Sequence, residues 1–222
     1  ASRKAGTGFK GRMFARAVAA ARQWSRDEQN GVAHSPKQLA ERATFETLVY
    51  RTVRGALGPN IKYVACGGAP LAEDLAHFYA GIGLPMIQGY GMTETCAPSS
   101  VNPTSGYKIG TIGLPMQGVT MGVDEEGELC IKSPAVCVGY HNHPEITKQQ
   151  IVDGWLHTGD LGSIDDEGFV SLTGRKKDLI ITAGGKNVSP GELEASVMTS
   201  AVVDQCVLVG DRKPFIAAIV SI

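Results

Sequence analysis

Gln88-Gly-Tyr-Gly-Met-Thr-Glu-Thr95 places an aromatic face, Tyr90, a hydroxyl, Thr93, and a carboxylate, Glu94, on one short glycine-bearing stretch. Read as a flexible turn, that set suits stacking on a purine, bonding a phosphate oxygen and holding Mg²⁺. Magnesium usually takes one or two carboxylates and completes its shell with phosphates and water. The plainer alternative is a solvated acid beside a core tyrosine. Gly89-Tyr-Gly91 opens like a dinucleotide fingerprint, but Glu94 stands where the third glycine belongs, so a Rossmann reading fails.

Two further segments could complete a nucleotide site. Trp155-Leu-His-Thr-Gly-Asp160 ends in a carboxylate at a strand entrance, and an ionised carboxylate can accept from both hydroxyls of a ribose diol. Aspartate also caps turns, which is the alternative. Gly174-Arg-Lys-Lys-Asp178 crowds three cations and an acid. Arg175 offers several fixed donors to a ribose or phosphate, and a junction residue such as Lys177 is well placed as a hinge. A solvated basic turn is the competing reading. His141-Asn-His143 lacks the additional ligands of a zinc site, and neither a phosphate loop of the Gly-Lys-Ser/Thr type nor a Gly-x-Ser-x-Gly elbow occurs.

The elements that must carry these residues follow from spacing. Ser35-Pro-Lys-Gln38 reads as a capping box, and Phe45, Leu48, Val49, Val53, Ala56 and Leu57 recur at helical intervals until Gly58-Pro59. Ile61 to Cys66 predicts a strand, Gly67 to Pro70 a turn, Leu71 to Ala80 a helix closed by Gly81, and Leu84 to Gln88 a parallel strand. The turns at Gly67 and Gly89 would then both leave carboxyl ends of strands, where open α/β sheets bind ligands. From Gly106 to Leu172 short strands alternate with the acidic turns Asp124-Glu-Glu-Gly127 and Asp165-Asp-Glu-Gly168, as in a small β-barrel or sandwich. Leu179 to Thr182 predicts a strand, Ala183-Gly184-Gly185 a turn, Ser189-Pro-Gly-Glu192 a second capping box opening a helix to about Thr199, and Gln205–Val209 and Phe215–Ile222 two more strands.

With 222 residues, 43% of them hydrophobic, the chain can bury a core, and Lys+Arg 21 against Asp+Glu 22 gives no reason to expect a nucleic-acid partner. Arg3, Lys4, Lys10, Arg12, Arg16, Arg22 and Arg26 all precede the first acid, while Phe9, Met13, Ala17, Ala20 and Trp24 share a helical face. Such a start suits a targeting peptide, a membrane-surface helix or, more plainly, a partly exposed helix of a larger fold. Five cysteines without a CxxC pair fit a reducing compartment better than a disulfide framework or a zinc site. No apolar run approaches the roughly 20 residues of a spanning helix.

Taken in order, Gly67-Gly-Ala-Pro-Leu71, Gly89 to Glu94, Gly127-Glu-Leu-Cys-Ile131 with Gly139-Tyr140, Trp155 to Asp160, and Gly174 to Asp178 through Glu194 resemble the adenylate-forming enzymes, the acyl-CoA synthetase and ligase superfamily. The wording of Lys176-Lys-Asp178 and Gly184-Gly-Lys-Asn-Val188 is closest to the long-chain fatty acyl-CoA synthetases. The resemblance implies an α/β region with a small β-barrel-like subdomain, followed by the start of a smaller α+β domain. The implied divisions are residues 1–105, 106–174 and 175–222. It implies ATP, Mg²⁺ and coenzyme A, a fatty acid as the second substrate, and a cytoplasmic protein with peripheral membrane contact left open. Tyr90 would face adenine beside Gly68, Ala69 and Pro70, with Gln88, Gly89 and Gly91 adjoining. Thr93 would contact phosphate, Glu94 would hold Mg²⁺, and Asp160 and Arg175 would grip the ribose. Thr93, Glu94 and Lys177 would form the catalytic set, with Lys177 at the hinge and Gly184, Gly185 and Lys186 lining the pantetheine passage. The family's upstream Ser/Thr/Gly-rich phosphate loop and its C-terminal lysine have no match. The chain is therefore expected to be an internal fragment without appreciable synthetase activity alone. A non-catalytic nucleotide or acyl-adenylate binding module and an acyl-AMP ligase delivering to a carrier protein remain the alternative readings.

Overall fold

Small residues on one side of the first helix decide how the N-terminal part packs. The computed structural model describes residues 8–69, 71–200 and 202–222, without the side chain of Glu192; Arg3, Lys4 and Pro70 lie outside the described residues. Two compact units result. One comprises the described residues up to Gly89 with Asn102–Gly110, the other Tyr90–Val101 with Thr111–Ile222.

In the first unit, helix α1 (Phe9–Gln29) buries Ala17 and Ala21 against helix α4 (Glu73–Gly81). The contact is backbone to side chain: a Cβ on Gly81 would lie 1.9 Å from the Ala21 carbonyl oxygen. Gly81 is thus inside the helix, where its missing side chain admits α1. The turn that stops α4 falls instead to Gly83, at φ +80°. The buried line runs Ala17, Ala21, Ser25, and Phe9 is 75% exposed, so the expected apolar face is shifted at both ends. Arg22 and Arg26 both pair with Asp74, and Arg16 pairs with Glu41 at 3.0 Å.

The Ser35 capping box forms, with Ser35 N donating to Gln38 Oε1 at 2.8 Å, and opens helix α2 (Pro36–Phe45). A π segment, Glu46–Tyr50, then leads into helix α3 (Arg51–Leu57), which stops at Gly58 as expected. The wider turn rotates the residues beyond it. Phe45, Val49 and Tyr50 are buried, whereas Leu48 and Leu57, expected on the same face, are exposed. Tyr50 donates to the Ala17 carbonyl at 2.8 Å. Strand β1 (Val64–Cys66) lies parallel to strand β2 (Met86–Met92), with Val64 opposite Met86, as the strand-helix-strand pattern requires. Strand β2 is longer than expected, so Gly89-Tyr-Gly91 is strand and not a turn.

In the second unit, the 3₁₀ turn Thr93–Thr95 leads into strand β3 (Ala97–Val101), which pairs with β4 (Leu114–Pro115). A Cβ on Gly91 would lie 2.1 Å from the Ala97 carbonyl oxygen, so the close approach of the backbone at Ala97 needs glycine here. The region expected to be β-rich is an antiparallel sheet. Strand β8 (Trp155–Ile164) pairs with β6 (Glu128–Lys132), β7 (Ile151–Val152) and β9 (Val170–Arg175), and β5 (Thr120–Val123) pairs with β6. Its core is Ile112, Met121, Leu129, Ile131 and Val170, with Tyr90 packed against it. Helix α5 (Pro144–Gln150) precedes β7.

Both acidic turns are built alike. Asp124 Oδ1 accepts from Glu126 N and Glu128 N at 2.9 and 2.8 Å, and Asp165 Oδ1 from Glu167 N and Phe169 N at 3.0 and 2.9 Å. Beyond β9, a 3₁₀ turn, Lys176–Asp178, precedes the β10 (Ile180–Ile181) and β11 (Asn187–Val188) hairpin around Gly184-Gly185. Helix α6 (Pro190–Val197) comes next, ending short of the expected Thr199, and then the antiparallel pair β12 (Gln205–Val209) and β13 (Ala217–Ser221). Ser189 sits at the N-cap of α6 but makes no side-chain capping bond.

Candidate functional site

Strand register brings polar residues of the second unit together. Asp160 lies on β8 opposite Arg175 on β9, and Arg175 Nε donates to Asp160 Oδ1 at 2.6 Å. The other carboxylate oxygen, Oδ2, accepts from the Tyr90 hydroxyl at 2.6 Å. The Asp160 side chain is only 8% exposed, so these two charge-assisted bonds compensate its burial. Burial and the neighbouring carboxylate raise the Tyr90 phenol well above its ordinary range. The Asp160 hydrogen bond likewise holds the Arg175 guanidinium protonated.

An open groove of about 730 Å³ is lined by Glu94, Arg175 and Lys177 among the expected site residues. It is also lined by Glu128, Tyr140 and His157. The Tyr140 hydroxyl donates to Glu94 Oε1 at 2.9 Å, and burial together with that carboxylate pushes the phenol up to about 12. A single oriented carboxylate on a groove wall fits a hard divalent cation that leaves its other positions to phosphate oxygens and water.

Glu128 is buried and fully engaged. Gly159 N donates to Oε1 at 2.7 Å and Lys176 Nζ to Oε2 at 3.1 Å, and Lys176 also pairs with Glu126. The bond to Glu126 and then that to Glu128 raise the Lys176 ammonium above its usual range. His157 Nδ1 lies 3.5 Å from Glu128 Oε2, and Cys130 faces His157 across the sheet. Burial and nearby acids push the Cys130 thiol up to about 11.

The remaining expected residues are dispersed. Thr93 is exposed on its 3₁₀ turn, whereas buried Thr95 uses its hydroxyl to hold that turn, receiving Met92 N at 3.2 Å and donating to the Ala97 carbonyl at 3.0 Å. Gly91 is in β2. Gly184, Gly185 and Lys186 form the exposed tip of the β10–β11 hairpin, where Thr182 N donates to the Lys186 carbonyl. Gly68, Ala69, Gln88 and Gly89 belong to the first unit, the first two in the loop after β1 and the others on β2. His141 and His143 are exposed, and no metal-ligating group among the described residues includes them. Glu128, Tyr140 and His157 carry no role in the sequence reading. An acid opening the apolar run Glu128-Leu-Cys-Ile131 was the available signal for the first of them.

Comparison with known proteins identifies the family. The AMP-binding enzyme profile matches residues 12–141, and the profile of the AMP-binding enzyme C-terminal domain matches residues 177–221. The chain is 42% identical over 224 residues to the long-chain-fatty-acid-CoA ligase FadD15 of Mycobacterium tuberculosis, covering 100% of this chain and 37% of the relative. It is 36% identical over 184 residues to the long-chain-fatty-acid-CoA ligase ACSBG2 of Gallus gallus, covering 79% of this chain and 24% of the relative. The chain thus spans less than half the length of these curated relatives. Among solved structures, the Bacillus subtilis O-succinylbenzoate coenzyme A synthetase in complex with ATP and magnesium superposes with a TM-score of 0.67 at 29% identity, over 82% of this chain and 40% of that one. Since the first profile alone covers more than half of the 222 residues, the chain belongs to the AMP-binding enzyme family.

Proposed function

We propose that the protein bearing this chain activates a long-chain fatty acid with ATP. The acid's carboxylate oxygen attacks the α-phosphorus and pyrophosphate leaves; the thiol of coenzyme A then attacks the acyl carbonyl and AMP leaves. The observation that carries the reading is Asp160, a buried carboxylate fixed from both sides by Tyr90 and Arg175, with Glu94 on the wall of an adjoining groove. Similarity to FadD15 over the whole chain supports the substrate class.

Each residue's role rests on its bonds. A carboxylate offers about four lone-pair sites, and Tyr90 and Arg175 occupy two, leaving two for the ribose diol. The Arg175 guanidinium keeps donors besides Nε for ribose or phosphate oxygens. Glu94, oriented by Tyr140, would hold Mg²⁺, which when bound offsets the charge of the phosphates. Thr93, exposed beside Glu94, is the proposed contact to a phosphate oxygen. Lys177 lies just past the end of β9 and is the proposed hinge between residues 106–174 and 175–222; the Gly184-Gly185-Lys186 tip is the proposed wall of the thioester passage.

Calorimetric titration of a non-hydrolysable acyl-adenylate analogue against the protein and its Asp160→Ala variant tests the reading, with circular dichroism on both. Loss of a charged hydrogen-bonding partner is expected to cost about 1.5–3 kcal/mol, roughly ten- to a hundred-fold in affinity. Equal affinity in a folded variant, or no saturable binding by the parent protein, would overturn it.

A further inference from the structure

At His157 on the groove wall a second group of donors converges that the adenylate chemistry does not use. Strand register sets Cys130 on β6 directly opposite His157 on β8. Cys130 Sγ lies 3.5 Å from His157 Nδ1. Asp124, at the turn between β5 and β6, brings Oδ2 to 3.8 Å from the same nitrogen. One ligand atom from each of the three residues lies within 4.8 Å of the other two. With metal–ligand bonds of about 2.0–2.3 Å to nitrogen, oxygen and sulfur, the edges of a tetrahedral zinc site come to about 3.3–3.7 Å. The observed separations differ from those edges by no more than small side-chain rotations would close.

We propose that Asp124, Cys130 and His157 form a Zn²⁺ site. The donor types select the ion: a thiolate and an imidazole favour zinc over magnesium, in contrast to the all-oxygen environment of Glu94. Asp124 is held in place beforehand, because Oδ1 takes the backbone N–H groups of Glu126 and Glu128 and leaves Oδ2 aimed at His157. Such outer hydrogen bonds orient metal ligands. The Asp124 and His157 side chains are 28% and 29% exposed, which gives the ion a path from solvent, while Cys130 closes the inner side. The fourth position is open to water. On binding, the Cys130 S–H bond breaks, sulfur keeps the electron pair and bonds the metal, and the proton passes to solvent. The bound ion ties the β5–β6 turn to β6 and β8. This inference does not depend on the adenylate reading.

The test is a titration of the purified, reduced protein with Zn²⁺ against a chromophoric chelator, and with Co²⁺ followed by absorption. One equivalent of Zn²⁺ should bind and persist in excess Mg²⁺, and Co²⁺ should give a thiolate-to-metal charge-transfer band. Cys130→Ser should abolish that band and weaken Zn²⁺ binding at least tenfold, whereas Cys66→Ser should leave both unchanged. His157→Gln, at a partly exposed position, should weaken binding similarly and carries the test if Cys130→Ser fails to fold. Absence of stoichiometric binding, a charge-transfer band surviving Cys130→Ser, or undiminished affinity in folded His157→Gln would each overturn the site.

Discussion

Glu128 and Asp160 are acids of one sheet that burial has turned to different uses. Asp160 is held by two side chains; Glu128, on the groove wall, joins Gly159 N to Lys176 and so fixes the backbone just before Asp160. Replacing Glu128 with Ala strands the half-buried Gly159 amide while Lys176, 45% exposed, keeps Glu126. The expected loss is about 1–3 kcal/mol, read as a lower urea midpoint with unchanged slope. On the proposed reading of Glu94, Tyr140→Phe in the protein bearing this chain should leave stability nearly unchanged but raise the Mg²⁺ concentration needed for half-maximal activity several-fold, because Glu94 loses the donor that orients it. Asp160, Arg175 and Tyr90 were legible as polar candidates from their residue types in short motifs, although their mutual pairing, across 15 to 70 positions, was not. Glu128, Tyr140 and His157 were not, because their partners are set by strand register and by contacts 27 to 48 positions away.

Helix and strand identities were legible where caps and periodicity agreed, as at Ser35 and in the parallel β1–β2 pair. They were misread where a glycine serves packing and not a turn. Gly81 and Gly91 are both such cases, since a Cβ would strike a carbonyl oxygen from another element. Gly81→Ala should force α1 from α4 and cost about 1–3 kcal/mol, measured by thermal or urea unfolding. The π segment Glu46–Tyr50 was hidden as well, because one widened turn leaves the composition of the helix unaltered while rotating its later residues. It brings Tyr50 onto the Ala17 carbonyl, and burial pushes that phenol up to about 12. Its folded pKa exceeds the unfolded value near 10, so the fold keeps a proton that the unfolded chain loses. The Tyr50 contribution to stability should be constant below about pH 10 and fall as pH rises from about 10 to 12. Tyr50→Phe should flatten part of that fall in a series of urea titrations.

Across the whole molecule, the two units have hydrophobic clusters that share no residue: one around Ala17, Tyr50 and Ile82, the other around Leu129, Ile131 and Val170. Gly81→Ala should therefore lower hydrogen-exchange protection of amides in α1 and α4 while those of Leu129, Ile131 and Val170 hold theirs. Broad class was legible, because a strand-helix-strand unit succeeded by closely spaced turns and strands is written in the glycine spacing. The grouping of Tyr90–Val101 with the later sheet was not, because β2 runs unbroken past Gly89. Among the described residues no helix is long and apolar enough to cross a membrane. The paired acidic turns have a kinetic meaning. Asp124-Glu-Glu-Gly127 and Asp165-Asp-Glu-Gly168 differ at a single residue, share the same aspartate-to-backbone bonds, and end in glycines at φ +83° and +86°. Each closes a hairpin between sequence neighbours, a step of about 1–10 μs, far faster than the distant pairing of β6 with β8. The chain thus carries two copies of one local turn, each able to close its own hairpin before the longer-range pairing of β6 with β8 is made.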